Sequence, residues 1–441
     1  MIVLKFGGTS VGKPERMKKI AELVLGTPGK KIVVLSALSG TTNSLVAIGD
    51  HLIAAQKAQA EAEIASLEKH YQAFIKELFA SDSFYAIGQE IVGRFFIFIR
   101  MLAAGQFDNK SYRELLAQGE LISTELFYQH LQERKINARL LPALYFMSID
   151  EHDEPELEKI SQRLKPLVTA LTNIDIIITQ GYICRNNRNE IDNLKRGGSD
   201  YTASLVGAAI GAEEIQIWTD IDGMHNNDPR IVKKTIPISE LTFDEASELA
   251  YFGAKILHPS TIVPAQKYNV PVRLKNTMDE KAAGTIITGK VNTVGTFKAI
   301  AAKDGITAVN IRSSRMLMAY GFLRRVFEVF ENHKTSIDMI TTSEVAVSLT
   351  IDNASRLSSI ETELKKFGTI EIDSDQTIIC IVGQKITEQK GVLKKIFDAL
   401  SEIPVRMVSC GGSTNNVSLL IEKQFKEKAL NALNEGLFGL K

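Results

Sequence analysis

The sequence predicts an α/β protein: a mainly parallel sheet between helices, followed by a duplicated split βαβ unit. Three observations predict this. Residues 2–12 read as a buried strand, a glycine turn and a helix start. Further strands downstream also open into loops rich in small and hydroxyl residues, with helical stretches between them. The last third of the chain superposes on itself at an offset of 70 residues.

The first strand is Ile2-Val-Leu-Lys-Phe, followed at once by Gly7-Gly8-Thr9-Ser10. Two glycines let the backbone come close to an anion, and the free amides of the next helix point at it. Lys5 interrupts the apolar strand, and a buried lysine is costly unless it meets negative charge. Two readings stand: a phosphate cradle with Lys5 aimed into it, or an edge strand whose lysine escapes to solvent. The Gly-Lys-Ser/Thr ending of a P-loop is absent.

A helix is expected over Pro14–Leu25, closed by Gly26-Thr-Pro-Gly29, then a buried strand Lys31–Leu35 that breaks into Ser36-Ala-Leu-Ser-Gly40-Thr-Thr42-Asn43. Ligands of such sheets bind beyond the carboxyl ends of the strands. From about Ser44 to Gly105 the chain reads as a helical insertion without a sustained heptad. Phe95–Ile99 is an apolar run suited to the core or to another subunit. A helix over Ser111–Gln132 carries Glu120 among apolar neighbours, either a surface carboxylate or a functional one. Strands follow at Ala138–Leu141 and Ile174–Thr179, then an Asn-dense loop, Arg185–Lys195. Arg196-Gly197-Gly198-Ser199-Asp200 is a second glycine turn, feeding a helix at Tyr201–Gly211. Its arginine suits a carboxylate or phosphate gripped by two bonds. A strand at Glu214–Trp218 leads to Thr219-Asp220 and to Asp228-Pro229-Arg230. A helix at Asp244–Tyr251 precedes Gly253 and Lys255. By default Arg230 and Lys255 are surface cations and His258, before Pro259, is structural. The strand Val270–Leu274 closes this region, with Gly284–Thr288 at its linker side.

In the last third, Gly321-Phe-Leu-Arg-Arg-Val-Phe-Glu-Val-Phe330 matches Gly391-Val-Leu-Lys-Lys-Ile-Phe-Asp-Ala-Leu400, and Val347–Leu349 falls on Val417–Leu419 without a gap. The order of elements is that of the ferredoxin-like unit. The first copy has strands near Ile306–Ile311, Ser336–Thr341, Val345–Ile351 and Gly368–Ile372. The second starts at Thr377–Val382 and has no room for a last strand, so Phe297–Ala302 is expected to complete it.

Composition bounds the function. The 441 residues imply two or three domains, and Lys+Arg and Asp+Glu both number 52, which gives no support to nucleic-acid binding. No apolar run reaches the roughly 18 residues of a membrane span, and Lys5 spoils a signal-peptide shape. Cys184, Cys380 and Cys410 lie far apart, as in a cytoplasmic protein, and suggest no zinc site.

Taken together, Lys5-Phe-Gly-Gly-Thr-Ser, Ser36 to Thr42-Asn43, Gly119-Glu120-Leu, Arg196 to Asp200, Trp218-Thr219-Asp220, Asp228-Pro229-Arg230 and Phe252-Gly253-Ala254-Lys255 resemble the aspartate kinases over the whole chain. The resemblance is closest to the single-function, lysine-sensitive type. It implies an amino-acid-kinase fold over 1–290 with a helical insertion at about 44–115, a first ACT domain at 306–375, and a second built from 297–305 and 376–441. It implies transfer of the ATP γ-phosphate to the side-chain carboxylate of L-aspartate, the first step of lysine, threonine and methionine biosynthesis. That carboxylate is already a nucleophile, so the site must hold two anions together and neutralise the transferring group.

By the same resemblance, Lys5 and the Gly7 and Gly8 amides contact that group, Asp200 orients Lys5, and Lys255 faces the leaving phosphates. Ser10, Thr219, Asp220, His225 and Arg230 belong to the nucleotide side. Mg²⁺ bridges its phosphates mostly through water and nucleotide oxygens, with no protein metal site. Arg196 clamps the substrate's α-carboxylate and Glu120 its ammonium, with Ser36, Thr42, Gly198 and Ser199 alongside. An effector site in the first ACT module, at a dimer interface, maps to Met316, Ala319, Phe322, Leu323, Ser336, Asp338, Thr342, Ser343 and Glu344, with L-lysine the expected inhibitor and a homodimer or tetramer the expected assembly. Three departures stand out. His225 replaces a more frequent tyrosine, Ile191-Asp192-Asn193 with Lys195 replaces a threonine-rich run ending in glycine, and Met318-Ala319-Tyr320 replaces a more polar trio. The competing readings are a kinase for another acidic amino acid, against which the paired ACT modules and the Glu120/Arg196 pair argue, and an idle sensor, against which the retention of Lys5 and Asp200 argues.

Overall fold

The structure, a computed structural model, describes residues 1–195, 197–253, 258–291, 296–313 and 320–440. Arg196, Lys255, Met316 and Ala319 lie outside the described residues. The chain forms two compact units. The first holds residues 1–224, 239–243 and 256–289, and the second holds 225–238, 244–255 and 290–441. Segments 225–238 and 244–255, inside the catalytic region expected from sequence, thus pack with the second unit.

The first unit starts with β1 (Ile2–Phe6), α1 (Gly8–Val11), α2 (Pro14–Gly26) and β2 (Lys31–Leu35). The helical insertion follows as α3 (Thr41–Ile53), α4 (Lys57–Leu78) and α5 (Asp82–Ala104), then α6 (Asn109–Glu133). Next come β3 (Ala138–Leu140), α7 (Leu157–Ala170), β4 (Ile176–Gln180), the hairpin β5 (Ile183–Arg185) and β6 (Ile191–Asn193), α8 (Gly198–Ile210) and β7 (Ile215–Thr219). After β8 (Glu240–Thr242), α9 (Phe243–Tyr251) enters the second unit. The first unit resumes with α10 (Pro259–Lys267), β9 (Val272–Asn276) and β10 (Thr285–Thr288).

The eight-stranded sheet has the order β3-β4-β2-β1-β7-β9-β10-β8, parallel except where β10 meets β9. Its central strands are near-continuous Val/Ile/Leu runs because both faces are covered. Leu4, Phe6, Val33 and Leu35 join one large core with Met17 and Ile20 of α2, Phe74 of α4, Phe96 of α5 and Phe127 of α6. Side chains alternate along a strand, so Val3 and Lys5 face the opposite layer. There α8 packs on β1, beside α7 and α10.

Several segments differ from the sequence expectation: the strand expected at Ser336–Thr341 forms only over Ile340–Thr342, and helices α7 and α10 stand where no helix was expected. The Asn-dense stretch is a short hairpin rather than a loop, tied at Arg185 and Ile191 and held by Arg113 Nε on Asp192 at 3.1 Å. Residues 285–288 form a full strand of the sheet, not just a linker edge.

The second unit carries a six-stranded antiparallel sheet. It is built from β11 (Ala299–Arg312), α11 (Phe322–Asn332), β12 (Ile340–Thr342), β13 (Ala346–Ile351), α12 (Leu357–Leu364), β14 (Thr369–Val382), α13 (Val392–Ala399), β15 (Met407–Cys410), β16 (Asn416–Glu422) and α14 (Lys426–Phe438). The order is β12-β13-β11-β14-β16-β15. Both modules share β11 and β14. Residues 299–303 pair with 378–382, and 306–312 pair with 369–376. The strand at the head of the first copy and the spare strand before it are therefore one continuous strand, bent at Gly305 (φ 76°), and its partner bends at Asp375 (φ 54°). These bends are 70 residues apart, as are Gly321 (φ 75°) and Gly391 (φ 79°), which open α11 and α13. Each helix buries its apolar stripe in its own core, with Val326 and Phe330 in one and Ile396 and Leu400 in the other. Among the described residues no helix is long and apolar enough to cross a membrane.

Candidate active site

Several buried polar residues of the first unit, among them Lys5, Ser10, Thr41, Thr179 and Gln180, lie at or just beyond the carboxyl ends of β1, β2 and β4. Lys5, next to last in β1, is only 8% exposed. Its Nζ lies 2.5 Å from Oδ1 of Asp200, in the first turn of α8. The strand's alternation sends the lysine to the α8 side, and the α8 start requires the left-handed Gly197 (φ 66°), a conformation that costs a side chain dearly. A cation buried in this way meets the charge it needs. Gly7 leaves the ammonium uncovered, since a Cβ there would sit 3.2 Å from Nζ. The first amides of α1 precede its hydrogen-bonded ladder, while Ser10 N and Val11 N donate to the Gly7 carbonyl.

A second buried ionisable group has different surroundings. Glu120, on α6, is 4% exposed. Its Oε1 accepts from the Ala37 amide at 3.3 Å, and its Oε2 has no hydrogen-bond partner among the described residues. Burial pushes its carboxyl up to about 8, against the smaller opposing pull of the Ala37 amide. The loop 36–40 is fixed to the same helix by Ser123 Oγ, which donates to the Ser36 carbonyl at 2.7 Å. Helix α6 comes this close because residue 119 is glycine, where a Cβ would stand 2.8 Å from Ala37 Cβ. Ser199 packs against Gly181, at the end of β4, and Thr42 is half-buried at the start of α3.

On the other side of β1, Ser10 Oγ lies 2.9 Å from Thr277 Oγ1, and Thr277 Oγ1 donates to the Thr219 carbonyl at 2.7 Å. Thr219 Oγ1 contacts the Ile221 carbonyl at 3.2 Å, and Asp220 is exposed. Thr277 was not among the residues expected from sequence. The signal for it is a strand end followed by a hydroxyl, as at Ser36 and Thr219.

Lys5, Gly7, Gly8, Ser10, Ser36, Thr42, Glu120, Gly198, Ser199, Asp200, Thr219 and Asp220 thus all belong to the first unit. His225 and Arg230 belong to the second. There His225 Nδ1 is 2.8 Å from Thr235 Oγ1, and the Arg230 guanidinium grips Asp228 with two bonds, at 2.9 and 2.7 Å. Among the described residues no three His, Cys, Asp or Glu side chains form a cage for a metal.

In the second unit the described residues expected at the effector site fall into two groups. Ser336, Thr342, Ser343, Glu344 and Leu323 are exposed around β12 and the head of α11, whereas Phe322 is buried in the module's core. Asp338 is also enclosed. Lys303 Nζ lies 2.9 Å from its Oδ1 and 2.8 Å from Asp352 Oδ2, and the Tyr251 hydroxyl donates to Asp338 Oδ1 at 2.9 Å. The ammonium also stands 4.6 Å from the centre of the Tyr251 ring.

A buried cation beside glycine-lined backbone can neutralise an anion, and a buried acid with a free oxygen can accept from a cationic donor. The comparisons with known proteins give the family. Residues 1–276 match the amino acid kinase family and residues 379–437 the ACT domain. The chain is 32% identical to lysine-sensitive aspartokinase 3 of Escherichia coli K12, covering 99% of both. It is 33% identical to chloroplastic aspartokinase 1 of Arabidopsis thaliana, covering 99% of this chain and 80% of that one. The crystal structure of E. coli aspartokinase III with aspartate and ADP superposes with a TM-score of 0.86 at 31% identity, covering 99% of this chain and all of that one. The form of that enzyme with lysine and aspartate superposes with a TM-score of 0.82 at 32% identity, covering 99% of each. The chain belongs to the amino acid kinase family and, within it, to the aspartokinases.

Proposed function

We propose that the site around Lys5 transfers the γ-phosphate of ATP to the side-chain carboxylate of L-aspartate, giving 4-phospho-L-aspartate. The observation that carries this reading is the buried Lys5–Asp200 pair at the end of β1. Asp200 holds the ammonium over Gly7, where it can neutralise charge on the group in transfer. The attacking carboxylate is ionised at neutral pH, so the chain need only align it and shield it from the phosphates. Glu120, with its free Oε2, takes the substrate ammonium. Arg196 takes the α-carboxylate, and Ser36, Thr42, Gly198 and Ser199 complete the acceptor side. Gly7, Gly8, Ser10, Thr219 and Asp220 line the nucleotide side, to which we also assign His225, Arg230 and Lys255. The cation at Lys5 and the hydroxyl of Ser10 suit a triphosphate. Mg²⁺ would be held by phosphate oxygens and water rather than by a protein cage, and would supply further charge neutralisation when bound.

The same reading makes residues 1–290 the catalytic domain and assigns two ACT domains, 306–375 and 297–305 with 376–441. It makes L-lysine a feedback inhibitor acting at Met316, Ala319, Phe322, Leu323, Ser336, Asp338, Thr342, Ser343 and Glu344. The carboxylates of Asp338 and Glu344 suit its ammonium groups. Self-association through these modules is supported by repeat-equivalent exposed pairs, Leu323/Phe327 and Leu393/Phe397. Three free cysteines, two of them buried, suit a reducing cytoplasm.

The test is trapping of the acyl phosphate with hydroxylamine in the presence of ATP, Mg²⁺ and L-aspartate, repeated with added L-lysine. Aspartate hydroxamate should form, lysine should suppress it, and Lys5→Ala should lower turnover by orders of magnitude with modest loss of nucleotide binding. Near-normal turnover in Lys5→Ala would defeat the assignment.

A further inference from the structure

Helix α4 lies in the insertion between β2 and β3, and most of its buried residues are apolar. Tyr71 is the exception. It is 1% exposed, among Leu45, Leu67, Phe95, Phe96, Ile99 and Ile122. A phenylalanine would be buried there at lower cost, because a phenol in apolar surroundings must find a partner. Its hydroxyl lies 3.0 Å from Thr41 Oγ1, and Thr41 is 2% exposed.

Thr41 sits at a junction. It is the first residue of α3, and its amide donates to the Leu38 carbonyl at 3.0 Å, closing the loop that follows β2. On its other flank, its methyl would be 3.2 Å from a Cβ at Gly119. Thr41 is therefore wedged between the Tyr71 phenol and the backbone of α6 one residue before Glu120. The next residue in the chain is Thr42. The amide of Ala37, in the same loop, donates to Glu120.

We propose that Tyr71 is a positioning residue for the acceptor half of the reaction, acting through Thr41 to set the loop 36–42 against Glu120. This rests on the assignment of Thr42 and Glu120 to the L-aspartate side. The insertion then takes part in substrate recognition without touching substrate. Its link to the loop is a hydroxyl pair in apolar surroundings, where such a bond fixes geometry more firmly than it would in water.

Steady-state kinetics of the full chain test the proposal with Tyr71→Phe, Thr41→Val, Thr41→Ser and the Tyr71→Phe/Thr41→Val pair. Loss of one buried hydrogen bond should raise KM for L-aspartate about fivefold in Tyr71→Phe and in Thr41→Val. KM for ATP should stay unchanged and kcat should stay within about twofold. Thr41→Ser keeps the hydroxyl and should keep the parent KM. The double variant should be no worse than the poorer single one, because both remove the same contact. Thr41→Val carries the test if Tyr71→Phe folds poorly. A lowered unfolding midpoint with unchanged aspartate KM, or an equal rise in both KM values, would reduce Tyr71 to core packing and overturn the proposal alone. ATP turnover by the parent chain that does not depend on aspartate would overturn the reaction assignment and this inference with it.

Discussion

With Glu120 assigned to the substrate ammonium as proposed, it gives the reaction its sharpest pH signature. Its ordinary value is 4.5, and burial moves it to about 8 in the folded chain. At pH 7 the free protein therefore carries the ionised form in about one molecule in ten. Only that form offers a charge to the substrate ammonium, so capture of aspartate should improve about tenfold per pH unit up to about 8 and level off above. The linkage runs in the opposite sense for stability. The folded state holds a proton between pH 4.5 and 8 that the unfolded chain has released, so stability is full below 4.5 and declines as pH rises toward 8. The interval from 4.5 to neutrality, at about 1.4 kcal/mol per pH unit, is an upper estimate of about 3 kcal/mol of strain held in this one side chain. Glu120→Gln removes both effects. It should flatten the pH profile of kcat/KM for aspartate between 6 and 8, lower kcat/KM at pH 8.5 by about a hundredfold or more, and raise the unfolding midpoint by several degrees at pH 7.5. A parent profile that is flat over pH 6–8, or a slope that survives in Glu120→Gln, would refute the reasoning.

Three further outcomes follow from other sites. Lys303→Met leaves Asp338 enclosed without its cation, so the unfolding midpoint of the variant should fall by the equivalent of about 2 kcal/mol, while L-lysine should inhibit at lower concentration because its ammonium meets no internal competitor; a dose–response curve checks this, and an unmoved midpoint of inhibition contradicts it. Gly119→Val places side-chain atoms where Ala37 and Thr41 already stand, which should cost about 1–3 kcal/mol in urea unfolding and raise KM for aspartate more than KM for ATP. His130 is buried with neither ring nitrogen hydrogen-bonded among the described residues, and burial first, then Arg134, holds its value below 6.5. The unfolded chain thus takes up the proton first, so the folding constant should fall by up to tenfold per pH unit below about 6.5, and His130→Gln should lessen that decline in unfolding scans at pH 5.5 and 7.5.

Local patterns made the strand, turn and helix start around Lys5 readable. A lysine inside an apolar pentapeptide followed by two glycines leaves little choice of conformation, and the strand's period aims Lys5 at one layer. The duplicated C-terminal region was readable because its helices repeat residue for residue. Other features depend on neighbours far along the chain. The hairpin at 183–193 has strands of three residues each and is secured by Arg113, some 70 positions earlier, so no periodicity announces it. Helix α10 carries Pro259 at its start and Pro264 inside, and reads as a loop to any propensity argument. Glu120 looks like any helical carboxylate until the loop at Ala37 and the helices of the insertion close over it. Tyr71 is masked by the charged residues around it, and its partner lies 30 positions away.

The long strands β11 and β14 have a mechanical consequence. Each serves as an edge-to-edge beam for two modules, so no single cut in the chain yields two complete sheets. Severing at residue 375 would take the 299–303 strand away from its 378–382 partner in one half and leave that length of backbone unpaired on the other fragment. Strain applied at either end of the pair reaches the far end through continuous peptide, with only the bends at Gly305 and Asp375 to absorb it.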